Sequence, residues 1–224
     1  MEIGNRLGEG AKVLVLGATG GIGRAVVRDA TEAGWSVRVL VRAPVTLGPG
    51  VEVRVGDPLG LADVAAALEG VTSVVIALGI RRRTESMWAP LVSPPDVVER
   101  AARAVVAGAG GRPLRVISVS AHGARESWAS LPWLVRTVVR TSQVRFSYTD
   151  HDKQERVLEE SGLHALILRP TILTNDESLA CVEILDPRSL PLTAKVSRRA
   201  VARYAVEALR SSRSGVVTLS SATK

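Results

Sequence analysis

The chain has 224 residues, 46% of them hydrophobic, which suits one α/β domain with a full core and leaves little room for a second. Its apolar residues fall in short runs, none approaching the roughly 18 to 20 residues of a membrane-spanning helix. A single cysteine, Cys181, excludes an internal disulfide framework and an all-cysteine metal site, and no other metal site is expected. The formal net charge of +7 is carried almost wholly by arginine, but the arginines are scattered and no aromatic-studded strand accompanies them. That pattern argues against nucleic acid and for attraction of phosphorylated or anionic small molecules.

In chain order, Met1 to Lys12 is polar and lacks the apolar core of a signal peptide, so a reduced, cytoplasmic setting is expected. Strand-like and helix-like segments then alternate to the end of the chain, which predicts a parallel sheet covered on both faces. The first strand is Val13 to Leu16, followed by a helix over Ile22 to Ala33. Strands over Val37 to Val41 and Val51 to Val55 come next, then a helix over Leu61 to Leu68 and a strand over Val74 to Leu78. Pro94-Pro95 opens a helix over Asp96 to Ala107, since proline is tolerated in or just before a first turn. A strand over Arg115 to Val119 follows.

After that strand the spacing lengthens. Residues Gly123 to Asp150 hold Trp128, Trp133, Phe146 and Tyr148, with a helical stretch near Leu131 to Thr141. A helix over Asp152 to Ser161 stops at Gly162, and a strand over Ala165 to Leu168 runs into Arg169-Pro170. A helix over Arg198 to Arg210 and a strand over Val216 to Leu219 close the set. Right-handed crossovers give one Rossmann-type, doubly wound unit over 1–224, about seven strands in the order 3-2-1-4-5-6-7. Substrate-side elements are expected in 79–95, 121–150 and 170–196.

Between the first strand and first helix lies Gly17-Ala18-Thr19-Gly20-Gly21-Ile22-Gly23. Glycines at this spacing in a βαβ unit are a dinucleotide loop: Gly17 permits the tight turn, Gly20 lets backbone approach a pyrophosphate, and Gly23 allows close packing of helix on strand. The helix N-terminus offers free N–H groups and partial positive charge to the phosphates. The second strand ends Leu40-Val41-Arg42, with no acid to take a ribose 2′-hydroxyl. Arg42 instead suits the 2′-phosphate of NADP(H). Asp57 is placed either to bond the adenine amino group or to cap the helix after Pro58. Arg81-Arg82-Arg83 would face an anionic substrate, the cofactor phosphates or solvent, and Trp88 is placed to wall the same pocket.

These motifs, with Val55-Gly56-Asp57, Val116 to Gly123, Asp150 to Lys153, Ser161-Gly162-Leu163 through Arg169-Pro170, and Ser197 to Ala202, make the chain resemble the atypical short-chain dehydrogenase/reductase superfamily. The resemblance is to its small NAD(P)H-binding group, near NmrA-like proteins and biliverdin/flavin reductases. It implies a cofactor shell of Gly17, Thr19, Gly20, Gly21, Ile22, Gly23, Arg42, Asp57, Ala77, Leu78 and Gly79. Ser118 and Ser120 would lie beside it, with Lys153, Pro170, Thr171 and Ile172 near the nicotinamide and Lys153 holding its ribose.

The usual tyrosine, four residues before that lysine, is replaced by Thr149; Tyr148 lies five residues before, rotated round the helix. The serine that usually partners the tyrosine falls at Ala121, beside Ser120. Lys153, Ser120 and His122 are therefore the catalytic candidates, with His122 or water as the proton source. His151 is expected at a helix start and His164 beside a strand. The reading is an NADPH-dependent reductase acting on a small ketone, quinone, flavin or similar conjugated acceptor of aromatic or anionic character, as a monomer or homodimer. The alternatives are a redox sensor or regulator without turnover, and an isomerase or cyclase using the same pocket.

Overall fold

The computed structural model describes residues 11–191 and 193–221. Its main sheet holds β1 (Lys12–Leu16), β2 (Ser36–Val41), β3 (Glu52–Val55), β4 (Ser73–Ile76), β5 (Arg115–Val119), β6 (His164–Pro170), β8 (Val182–Ile184) and β10 (Gly215–Ser220). The order is β3-β2-β1-β4-β5-β6-β10-β8, parallel except for β8, which pairs antiparallel with β10. The seven strands expected from the sequence thus keep their order, with β10 in seventh place. The eighth strand and a separate parallel pair, β7 (Ile172–Thr174) with β9 (Lys195–Ser197), were not expected. Each is three residues long, too short to carry a readable period.

Strand alternation divides the core. Val13 and Val15 of β1 join one apolar cluster, Leu14 and Leu16 the other. The first cluster takes the inner faces of α1 (Gly21–Glu32) and α6 (Arg198–Ala208). The second takes α2 (Leu61–Ala67), α3 (Val97–Ala109) and α5 (Val144–Glu160). Because β1 is neighboured by β2 on one side and β4 on the other, the chain leaves its carboxyl end in diverging directions and opens a crevice there. No helix among the described residues is long and apolar enough to cross a membrane.

Between β5 and α5 lie a 3-10 turn, Arg125–Ser130, and α4 (Trp133–Thr141). Helix α5 starts eight residues before the expected Asp152, so His151 lies within it rather than at its start. Its opening Val-Arg-Phe-Ser-Tyr-Thr has low helix propensity, and tertiary contacts override that weak preference. One such contact is the Asp150 carboxylate, which accepts the Val98 and Glu99 N–H groups at 3.0 and 2.9 Å and so caps α3 from a neighbouring helix. His164 is the first residue of β6, which begins one residue before the expected Ala165.

Candidate functional site

The glycine loop is built by close backbone approach. Gly17 has φ of 92°, and a Cβ there would lie 2.4 Å from the Ala77 carbonyl oxygen at the exit of β4. A Cβ on Gly23 would lie 2.1 Å from the Gly17 carbonyl oxygen, so the helix can sit on its own loop only without side chains. Gly20 N–H donates to Gly17 O at 2.9 Å and closes the turn. The first turn of α1 carries no acid and no side-chain cap, which leaves its N–H groups available to a phosphate. At Gly21 the space of a side chain is taken by Arg198, whose Cδ would be 2.7 Å from a Cβ. Arg198 Nη1 donates to Asn175 Oδ1 at 2.7 Å, so a guanidinium from the start of α6 stands beside the start of α1.

On one side of this loop opens a cleft of about 430 Å³, within the range of small-molecule sites. Gly17, Thr19, Gly20, Arg42, Ala77, Leu78 and Gly79 line it, together with Arg81 from the segment after β4. The Arg42 and Arg81 side chains make no hydrogen bond or ion pair among the described residues and remain free to meet an anion. Asp57 sits at the turn before α2, where its Oδ1 accepts Leu59 N–H at 3.0 Å, a capping geometry. Pro58 and Leu59 line the cleft beside it. Ile22 turns away into the core.

Farther along the carboxyl edge of the sheet lies an inner cleft of about 190 Å³, with Ala121, His122, Tyr148, Pro170, Thr171 and Ile172 in its wall. Proline and leucine of the 187–191 segment, with Leu131 and Val135, make the rest largely apolar. His122 Nδ1 is buried without a partner, and its Nε2 lies 3.5 Å from Ser130 Oγ. Burial, and then the nearby Arg169 charge, push the His122 pKa down, so its ring is neutral at pH 7. Tyr148 Oη donates to the His122 carbonyl at 3.3 Å, and burial pushes its phenol pKa up. Trp128 backs Tyr148 edge-on, with ring centroids 5.7 Å apart.

Other expected site residues are not brought to either cleft. Ser118 is fully buried and accepts Gln154 Nε2 at 2.6 Å. Ser120 Oγ donates to Glu155 Oε1 at 2.5 Å, and Glu155 is itself forked against buried Arg169, at 2.9 Å from Nε and 2.5 Å from Nη2. Arg169 also pairs with Glu126 of the 3-10 turn. The two serines therefore tie β5 to α5 beneath the site. Lys153, 53% exposed at its side chain, pairs with Glu99 of α3 at 3.2 Å. Trp88 and Trp133 are exposed and wall neither cleft. Sequence reasoning missed the placement of Arg198 beside the loop; its only signal was the Ser197-Arg198-Arg199 start of α6. Tyr148, read as out of register with Lys153, lines the inner cleft from within α5, which begins earlier than expected.

A mostly parallel sheet with a glycine loop at its switch point and two clefts along its carboxyl edge defines a dinucleotide-binding α/β protein. The chain belongs to the NAD(P)H-binding family, whose model matches residues 17–212. This is the group to which the sequence motifs bear resemblance. Among solved structures it is similar to ChuY, an anaerobillin reductase from Escherichia coli, at 22% identity over 93% of this chain and 96% of that one, with a TM-score of 0.72. A wide-type short-chain dehydrogenase/reductase from Veillonella parvula, solved with NADP, matches at 19% identity over 93% and 94% of the two chains, TM-score 0.71. A protein from Streptococcus pneumoniae assigned as an NADH-flavin reductase matches at 15% identity over 95% and 100%, TM-score 0.71. At these identities the likeness is one of fold.

Proposed function

We propose that the protein is an NADPH-dependent reductase that delivers hydride to a small conjugated acceptor such as a ketone, quinone or flavin. The observation that carries this reading is the pair of clefts: a polar one with two free arginines at the glycine loop, and an apolar one at the ends of β5 and β6. In this reading the α1 N-terminus and Arg198 hold the pyrophosphate, and Arg42 holds the 2′-phosphate. Pro170, Thr171 and Ile172 border the nicotinamide. When bound, the cofactor supplies the hydride.

His122, neutral and with an unpartnered buried nitrogen, orients a polar atom of the acceptor, and Tyr148 braces the loop that carries it. The proton that completes the two-electron reduction comes from water. Ser120 is engaged by Glu155 and Lys153 by Glu99, so neither is offered as the donor here. The test is NADPH absorbance followed with a panel of quinones, flavins and ketones; absence of oxidation with every acceptor, despite tight NADPH binding, sinks the reading.

The second reading, an NAD(P)-binding sensor without turnover, is favoured by one observation. The serine and lysine that would form a proton relay are both held in structural pairs. Such a protein would bind NADPH and NADP⁺ with different affinities and consume neither.

A further inference from the structure

On the outer side of Tyr148 lies a third hollow, of about 620 Å³, between the Arg125–Ser130 turn and helices α4 and α5. Tyr148 belongs to its wall and to that of the inner cleft, so the two hollows meet at this residue. Arginine sets its chemistry. Arg140, Arg145 and Arg156 line it, and none makes a hydrogen bond or ion pair among the described residues. The Arg140 guanidinium lies 5.6 Å from the centroid of the Trp128 ring, and that of Arg145 lies 4.7 Å from Phe146.

Some surface arginines find carboxylates, as Arg103 does with Glu99, Arg203 with Glu207 and Arg213 with Glu183. Here one of the two lining carboxylates is engaged outside the hollow: Glu126 serves Arg169, while Asp152 accepts the Arg125 backbone N–H at 2.7 Å and keeps its charge toward Arg156. The fourth arginine, Arg125, is itself paired with Glu159. Arg140 and Arg145 have aromatic rings beside them and Arg156 has Asp152 one helical turn away; four guanidiniums against two carboxylates leave this concave surface net positive, and an anion placed there relieves their repulsion. Guanidinium groups also match carboxylate and phosphate oxygens in pairs of hydrogen bonds.

We propose that this hollow is an anion subsite for the acceptor: the reducible ring occupies the inner cleft, and a carboxylate or phosphate on its tail is held by Arg140, Arg145 and Arg156. The proposal rests on the reductase reading for the ring's place, and it adds the chemical class of acceptor, a conjugated ring with an anionic tail. The probes are riboflavin and flavin mononucleotide, which share a ring and differ by one phosphate. Each is titrated calorimetrically into protein saturated with NADP⁺.

Flavin mononucleotide should bind at least about tenfold tighter than riboflavin, the effect of one charge-assisted contact. In Arg145→Gln/Arg156→Gln that ratio should fall toward one, with NADP⁺ affinity as the check that the fold is intact. Arg156→Lys, which keeps the charge, should keep most of the preference. Equal affinity for the two flavins, no binding of the mononucleotide, or a preference that survives the double variant overturns the proposal. Tight mononucleotide binding without NADPH oxidation by the wild type keeps the subsite and removes the reductase reading.

Discussion

Lys153 reaches across from α5 to α3, where its Nζ lies 3.2 Å from the Glu99 carboxylate. Tyr148, five residues earlier on the same helix, points instead into the inner cleft. At about 100° per residue the two side chains are separated by roughly 140° round the helix axis, so one cannot follow the other to a shared substrate atom. Lys153→Ala should therefore leave NADPH affinity within about threefold and cost about 0.2–1 kcal/mol of stability, as for an exposed pair. Tyr148→Phe should raise the acceptor KM more than it lowers kcat. Steady-state kinetics on one identified acceptor check both. A hundredfold weaker hold on NADPH in Lys153→Ala would return the lysine to the nicotinamide ribose.

In the proposed reading cofactor choice turns on Arg42, exposed just after β2 and unpaired among the described residues in the larger cleft. NADPH should bind more tightly than NADH, and Arg42→Ala should weaken NADPH by about 1.5–3 kcal/mol while hardly touching NADH. Equal binding of the two cofactors by the wild type in titration calorimetry would contradict this.

The loop glycines should separate by what a side chain would strike. At Gly20 a Cβ meets only Gly17 O at 3.3 Å, so Gly20→Val should keep the fold and lose the cofactor by blocking the pyrophosphate's approach. At Gly17 the positive φ and the 2.4 Å approach to Ala77 O mean that even Gly17→Ala should unfold or strongly destabilise the chain. Circular dichroism with calorimetry on both variants decides. Micromolar NADPH binding by Gly20→Val would show that the phosphates lie elsewhere.

Ser120, Glu155 and Arg169 form a buried framework, and their variants should show it in stability first. Glu155 is 0% exposed and Arg169 3%, so Glu155→Gln leaves a cation in the interior with only Glu126 beside it. A loss of about 3–5 kcal/mol is expected in urea denaturation. Ser120→Ala should lose about 1–2 kcal/mol with kcat nearly unchanged. A thousandfold fall in kcat at full stability would make the serine a proton donor after all.

His122 gives the pH dependence its sign. Burial and the Arg169 charge place its folded pKa below the ordinary 6.5, so the unfolded chain takes up the proton first. Its contribution to stability is complete above 6.5 and is lost as pH falls below that value. Between about pH 7.5 and 5.5 the wild type should lose more unfolding free energy than His122→Asn, measured by denaturant titration at each pH. Identical slopes would mean that the imidazole is solvated.

Several features were legible in the chain itself. Strand and helix alternation, with the loop Gly17 to Gly23 at a strand-to-helix junction, was enough for the sheet order and for gathering Gly17, Thr19, Gly20 and Arg42 at one cleft. These are local signals: a short apolar run, a turn only glycine permits, a helix start, and a cation where an acid would otherwise stand. Sequence spacing also showed that Tyr148 and Lys153 fall out of register.

Only the tertiary structure decided which of the two side chains enters the cleft, because that depends on the rotation of α5 against β5 and α3. Asp150 capping α3 and Gln154 bonding Ser118 fix that rotation, and both partners lie more than 30 residues away in the chain. The same holds for Arg198 beside Gly21, for β8 on the edge of β10, and for the arginine hollow outside Tyr148. Each joins segments distant in sequence through contacts that leave no period or motif in either one. Long-range packing chose the chemistry of the walls, while local pattern had already chosen the sheet and its glycine loop.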